Sequence, residues 1–264
     1  MLLILADKPN AMTHITQNQP MQNVLFLLAH NDDEYFAALR MREEIRLGNR
    51  VFVAYLTHGS VCGTDSAARM QDSVKFLSKL GIRQDKILAI GRGQDILDFR
   101  LHERIVDAYR GLGEVLANIA IERLYIMAWE GGHPDHDASH LIGVTFARQR
   151  NLEEVYEFPA YSRFRVMHPL RKDFELLATG NNRIEAFKTL MSGFSYRSQR
   201  KTFLAMLPGS IVQLLLLGHQ NYWLVPQERD YAQAPHAGRL FYERRYGISF
   251  ADFTKNARAL YRNL

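Results

Sequence analysis

Short apolar runs alternate with amphipathic stretches along the first 160 residues of this chain. The runs are Val24 to Ala29, Arg50 to Leu56, Lys86 to Ile90, Arg123 to Ala128 and Glu153 to Phe158. Short runs of this kind read as strands buried on both faces. Between them, Asp33 to about Leu47, a stretch capped by Asp65 or Ser66 and running to Leu80, Phe99 to Ala120 and Asp135 to Arg148 read as helices. Gly48 and Gly81 act as helix stops, and Gly111 and Gly113 weaken the middle of the third helix. The alternation predicts an α/β fold, a Rossmann-like, mostly parallel sheet with helices on both faces. After Phe158 the rhythm changes. Asn181 to Met191 and part of Leu204 to Leu217 read as helical, Gly218 to Ala237 is turn-rich, and Arg239 to Leu264 is basic, aromatic and partly helical. With no repeat and no low-complexity linker, residues 21–264 read as one domain with a C-terminal elaboration from about 205, preceded by an extension over 1–20.

A hydrophobic fraction of 47% over 264 residues supports a sizeable core. The net charge of +5 is uneven: residues 1–132 carry 15 basic and 16 acidic side chains, residues 133–264 carry 18 and 12. No dense Lys/Arg block with interleaved aromatics is present, so no nucleic-acid partner is expected. Cys62 is the single cysteine, which excludes a disulfide framework and a cysteine-rich zinc site and suits a reducing compartment. Met1 to Ala6 is too short for a signal-peptide core and Ile211 to Leu217 too short for a membrane span, which needs about 20 apolar residues. A cytoplasmic protein is expected, and a homo-oligomer is compatible with the composition.

The chemistry gathers behind two of the strands. Val24 to Ala29 runs directly into His30, Asn31, Asp32, Asp33 and Glu34. Open α/β sheets bind ligands at the carboxyl ends of their strands. Acidic residues there also commonly cap the following helix, so that reading stands beside a metal-binding one. Arg123 to Ala128 leads to Trp129, Glu130, Gly131, Gly132, His133, Pro134, Asp135 and His136. Pro134 stiffens this loop, and the two glycines let backbone come close to whatever sits there. Asp135 either caps the next helix or orients a neighbouring imidazole. His30, Asp33 and His136 together offer two nitrogens and a carboxylate with a fourth position open, as catalytic zinc sites do. His58, His102, His140, His168, His219 and His236 read as surface residues. Gly91-Arg92-Gly93 lacks the third glycine of a phosphate loop and reads as a turn.

His30-Asn31-Asp32-Asp33-Glu34 with His133-Pro134-Asp135-His136 resembles the paired signatures of the LmbE-like, or PIG-L-like, zinc-dependent N-deacetylases. The resemblance runs from about Val24 to Gln199. Arg69, Asp72 and Leu80-Gly81 look like the family's Arg, Glu and Leu-Gly pattern, and Tyr196-Arg197-Ser198-Gln199 looks like its Tyr-x-Ser-Gln motif. Asn31 stands where the family usually has proline, Asp72 where it has glutamate, and His58 where an acidic or amide residue is common. The last two departures bear on substrate choice.

The resemblance implies one zinc ion per chain held by His30, Asp33 and His136, with Asp32 as general base. His133 is similar to the histidine that stabilises the oxyanion or protonates the leaving amine, and Arg69 corresponds to a substrate-contacting arginine. The implied reaction removes an acetyl or other acyl group from the nitrogen of an N-acetylglucosamine-type conjugate. Two other readings compete: a metal-dependent phosphoesterase, and a catalytically silent sugar-binding protein on the same fold.

Overall fold

The computed structural model describes residues 20–60, 66–161, 183–200 and 222–261, with positions 204, 208 and 211. Its sheet is built around β1 (Asn23–Leu28). Successive side chains of a strand point to opposite faces, and here both faces are covered. Leu25 and Leu27 enter one core; Val24, Phe26 and Leu28 enter another. The first core is closed by α4 (Ile105–Val115), α5 (Pro134–Gln149) and α8 (Phe250–Tyr261). The second is closed by α1 (Glu34–Arg46), α2 (Ser66–Leu80) and α6 (Arg183–Met191). The unbroken apolar run of β1 is therefore a consequence of two-sided burial.

β2 (Arg50–Tyr55) and β3 (Ile87–Ala89) extend the sheet on one side of β1; β4 (Arg123–Met127), β5 (Glu154–Phe158) and β6 (Trp223–Leu224) extend it on the other. The order is β3-β2-β1-β4-β5-β6, parallel throughout except for β6, which pairs antiparallel with β5. Two residues are too few to show a strand period, so the apolar pattern does not reveal β6. The connection reverses direction between β1 and β4, whose register pairs Val24 with Arg123 and Leu27 with Ile126. That reversal leaves a crevice at the carboxyl ends of the two strands, where open sheets of this class seat ligands. No helix among the described residues is long and apolar enough to cross a membrane.

The expected long helix from Phe99 to Ala120 is shorter. Leu101–Glu103 forms a single 3-10 turn and α4 begins at Ile105. The cause is local. Phe99 has a positive φ of 65°, and the backbone N–H groups of Phe99 and Leu101 bond the carboxylate of Asp135 at 2.5 and 3.1 Å. Donors that would otherwise open the helix are committed to another loop. Gly91 lies in α3 (Ile90–Gly93), one helical turn. The predicted helix within 204–217 lies almost wholly outside the described residues, as does Cys62.

Candidate metal centre and active site

The turn after β1 is held by its own side chains. Asp33 occupies the residue before α1 but makes no capping bond. Its Oδ2 instead accepts the backbone N–H of His30 at 2.7 Å, and its Oδ1 lies 3.1 Å from His136 Nε2. His30 Nδ1 lies 3.4 Å from Asp33 Oδ2, while His30 Nε2 lies 3.0 Å from Asp135 Oδ2. Asp135 also accepts two backbone N–H groups and is fully buried, so its carboxylate is held ionised well below the usual range. Burial opposes this, and the neighbouring imidazoles of His102 and His30 overcome it. An ionised carboxylate only accepts, so His30 donates from Nε2 and turns Nδ1 toward Asp33.

These three residues fit a zinc ion. Their candidate ligand atoms lie within 4.8 Å of one another, all on buried side chains. Tetrahedral zinc with bonds near 2.0–2.1 Å has ligand–ligand edges of about 3.3 Å; His136 Nε2 lies 3.1 Å from Asp33 Oδ1, close to that length, and His30 Nδ1 lies 3.4 Å from the other oxygen, Oδ2. The bond from His30 to Asp135 is the carboxylate support that ligating imidazoles usually have. A second grouping, His30 with His133 and Asp135, is also close enough to hold an ion. It would use the carboxylate already shared by two backbone N–H groups and His30, which favours the first set.

Asp32 is the most constrained residue of the site. Its φ is +122°, a region that L side chains rarely adopt. The peptide before it is pinned at both its N–H and its carbonyl. The N–H of Asp32 donates to Glu34 Oε2 at 2.8 Å, and Tyr196 Oη donates to Glu34 Oε1. The carbonyl of Asn31 accepts Arg69 NH2 at 2.9 Å. Ser198 in turn anchors the Tyr196 segment, giving its N–H and Oγ to Asp72 Oδ2 at 2.8 and 2.7 Å. Asp72 thus holds that motif against α2. Burial pushes the Asp32 carboxyl up to about 8; Arg69, 3.6 Å away, opposes this and Asp33 adds to it.

Arg69 is spent largely on the protein. Its NH1 bonds Asp98 Oδ2 at 2.6 Å and the Gly59 carbonyl at 3.2 Å. Asp98 also accepts from Thr57 Oγ1 and the Gly59 N–H. Sequence reading missed Asp98, because nothing in its neighbourhood announces that a carboxylate after β3 faces Arg69 and the loop after β2. Arg69 Nε is buried without a partner among the described residues.

His133, not Asp135, caps α5: its Nδ1 accepts the Asp135 N–H at 3.1 Å. Burial, with the charge on nearby His30, drives the His133 pKa well below the ordinary value. Nδ1 is therefore a lone-pair acceptor and the ring proton sits on Nε2. The glycines before it make room for protein. A Cβ on Gly132 would come within 2.4 Å of the Tyr161 ring, and one on Gly131 within 2.8 Å of Leu240.

Two of the expected surface histidines are interior. His102 is buried with its Nδ1 3.7 Å from Asp135 Oδ1. His140, one turn after His136, is fully buried between the Met127 carbonyl at 2.8 Å and Tyr231 Oη at 2.9 Å. Tyr231 lies 91 positions later in the chain, so the sequence near His140 gives no sign of the partner. His58 is half-buried with its Nε2 3.5 Å from Asp95; His236 is exposed, and His168 and His219 lie outside the described residues. Burial lowers the His140 pKa from 6.5 to about 4. The unfolded chain takes up this proton near pH 6.5 and the folded chain does not, so stability is full above pH 6.5 and falls as pH drops toward 4. The gap corresponds to about 3 kcal/mol. Thermal melts of His140→Gln should show a flatter fall in Tm across that window than the parent chain; parallel curves would refute a neutral His140.

Comparison with known proteins adds the following. A family model described as GlcNAc-PI de-N-acetylase, PIG-L, matches residues 25–147. No curated protein matches the chain in sequence. Among solved structures, the A40926 pseudoaglycone deacetylase Dbv21 superposes with a TM-score of 0.62 at 13% identity, covering 80% of this chain and 99% of that one. The zinc-inhibited form of teicoplanin deacetylase gives 0.57 at 14% identity, over 79% and 100%. The N,N'-diacetylchitobiose deacetylase of Pyrococcus horikoshii gives 0.54 at 15%, over 77% and 82%. At such identities the likeness is one of fold. The family match, over residues 25–147, spans both loops of the site, from within β1 into α5.

Proposed function

We propose that this chain is a zinc-dependent hydrolase that removes the acyl group from an N-acetylglucosamine-type amide, giving acetate and a free amine. The observation that carries the reading is the meeting of His30, Asp33 and His136 at the β1–β4 crevice, at separations suited to tetrahedral zinc, with Asp32 beside them. The family model that matches residues 25–147 supports the amide, the sugar named for one fold neighbour supports the substrate class, and the donor set of two imidazoles and a carboxylate supports the metal. The single cysteine suits a cytoplasmic enzyme.

His30, Asp33 and His136 would hold the ion, which when bound supplies Lewis acidity to the amide carbonyl and to the attacking water. Asp32 takes the proton from that water on a carboxylate oxygen. Its raised pKa in the chain alone makes it a willing base, and a divalent cation beside it lowers that value. Neutral His133 donates from Nε2 to the developing oxyanion; one such preorganised donor contributes about 3–4 kcal/mol in acyl transfer. Because His133 is neutral here, Asp32 is the group that returns the proton to the departing nitrogen. Arg69 steadies Asp32 and offers buried Nε to the substrate.

A phosphoesterase on magnesium would call for a site richer in oxygen ligands than two imidazoles and one carboxylate. Metal analysis with amine and phosphate release from N-acetylglucosamine conjugates and phosphomonoesters separates the readings. One zinc per chain with amine release is expected. Phosphate release would install the phosphoesterase, and ligand binding without turnover would install the silent binder.

A further inference from the structure

The rings around the two histidines of the second loop form a closed circuit. His133 meets Tyr246 at 5.7 Å, Tyr246 meets Phe241 at 6.4 Å, Phe241 meets Tyr161 at 5.5 Å, and Tyr161 meets His136 at 5.6 Å. His136 returns to His133 at 5.2 Å. Phe99 backs the circuit, 4.5 Å from His133 and 4.9 Å from Tyr246. Tyr161, Phe241 and Tyr246 are 36%, 39% and 38% exposed. Three large rings left in water on one rim are unusual, and such clusters mark binding surfaces.

The rim is held in place at some cost. Phe99 keeps a positive φ, which a bulky side chain tolerates only when its surroundings enforce it; here Asp135 accepts its N–H. The N–H groups of Ala160 and Tyr161 both donate to Glu130 Oε1, at 2.8 and 2.9 Å. The N–H of Phe241 donates to the Gly131 carbonyl at 2.9 Å, so α7 (Phe241–Tyr246) is docked on the loop that carries His133 and His136. The three exposed rings lie beyond residue 147, outside the family match. Shared residues supply the chemistry, and these later segments supply a surface of this chain's own.

We propose that this aromatic rim is a subsite for a flat aromatic aglycone, so that the preferred substrate is an aryl glycoside of an N-acyl amino sugar. This rests on the hydrolase reading above. The rim offers ring faces and edges beside the site, and its cation, Arg244, is exposed and lies 6.0 Å over the Phe241 ring rather than buried in the site, which suits stacking on an arene better than pairing with a phosphate.

The test compares the methyl glycoside of N-acetylglucosamine, its 4-nitrophenyl glycoside and N,N'-diacetylchitobiose, by amine release and by calorimetric binding to the zinc-loaded chain. The aryl glycoside should show a KM and Kd about tenfold below the methyl glycoside, the scale of one or two aromatic contacts. Phe241→Ala should cut that ratio to about twofold or less, and Phe241→Tyr should restore it. Equal values for aryl and methyl glycosides, a preference for the disaccharide, or an aryl advantage that survives Phe241→Ala would overturn the subsite. If no amide is cleaved, the hydrolase reading fails alone: calorimetry still decides the rim, upheld by a Phe241-dependent aryl preference and overturned by its absence.

Discussion

His136→Ala should strip the chain of its zinc and lower amide hydrolysis by about a thousandfold or more, since a catalytic ion supplies several kcal/mol of transition-state stabilisation. The expectation follows from how little else can replace this imidazole. Asp33 Oδ1 faces His136 Nε2 at 3.1 Å, and removing the ring leaves two ligands and an open wall. His133 is the nearest other histidine, but its Nδ1 is engaged as the cap of α5. Metal analysis after dialysis, alongside amine release, checks both halves. Retention of one zinc per chain by His136→Ala would move the ion to the other grouping, His30 with His133 and Asp135. The fold should survive, because α5 keeps its cap and its two-sided packing, and a circular dichroism spectrum matching the parent separates metal loss from unfolding.

The parallel sheet is legible in the apolar runs because two-sided burial leaves no polar positions to blur them. The site is legible because its donors sit at the ends of two such runs. What was not legible depends on contacts between segments far apart in sequence. The carboxylate of Asp135 looks like a helix cap by position, yet it shortens a neighbouring helix by taking the N–H groups of Phe99 and Leu101. Gly131 and Gly132 look like space for a ligand, yet Leu240 and Tyr161 fill it. His140 looks like a surface residue until Tyr231 closes over it. Asp98 carries no local signal, and its importance lies in Arg69, 29 positions earlier. Each is a case in which tertiary contact, not local pattern, assigns a polar side chain its task.

Asp32→Asn should keep zinc at one per chain and reduce kcat by about a hundredfold to ten-thousandfold, the range for loss of a general base. Asparagine is nearly the same size and tolerates positive φ as well as aspartate does, so the turn should hold. The N–H bond to Glu34 and the Arg69 bond to Asn31 involve backbone and remain. What disappears is the ability to take a proton. Asp32→Gly gives the complementary result. It removes a half-buried carboxylate from strained backbone, and the relief should raise stability by about 1 kcal/mol, the backbone strain of roughly 1–3 kcal/mol being partly offset by glycine's entropy in the unfolded chain. A variant that melts higher and hydrolyses almost nothing would mean that the chain maintains this conformation for catalysis. Near-full hydrolysis by Asp32→Asn with zinc in place would remove Asp32 from the mechanism and leave its strain without a function.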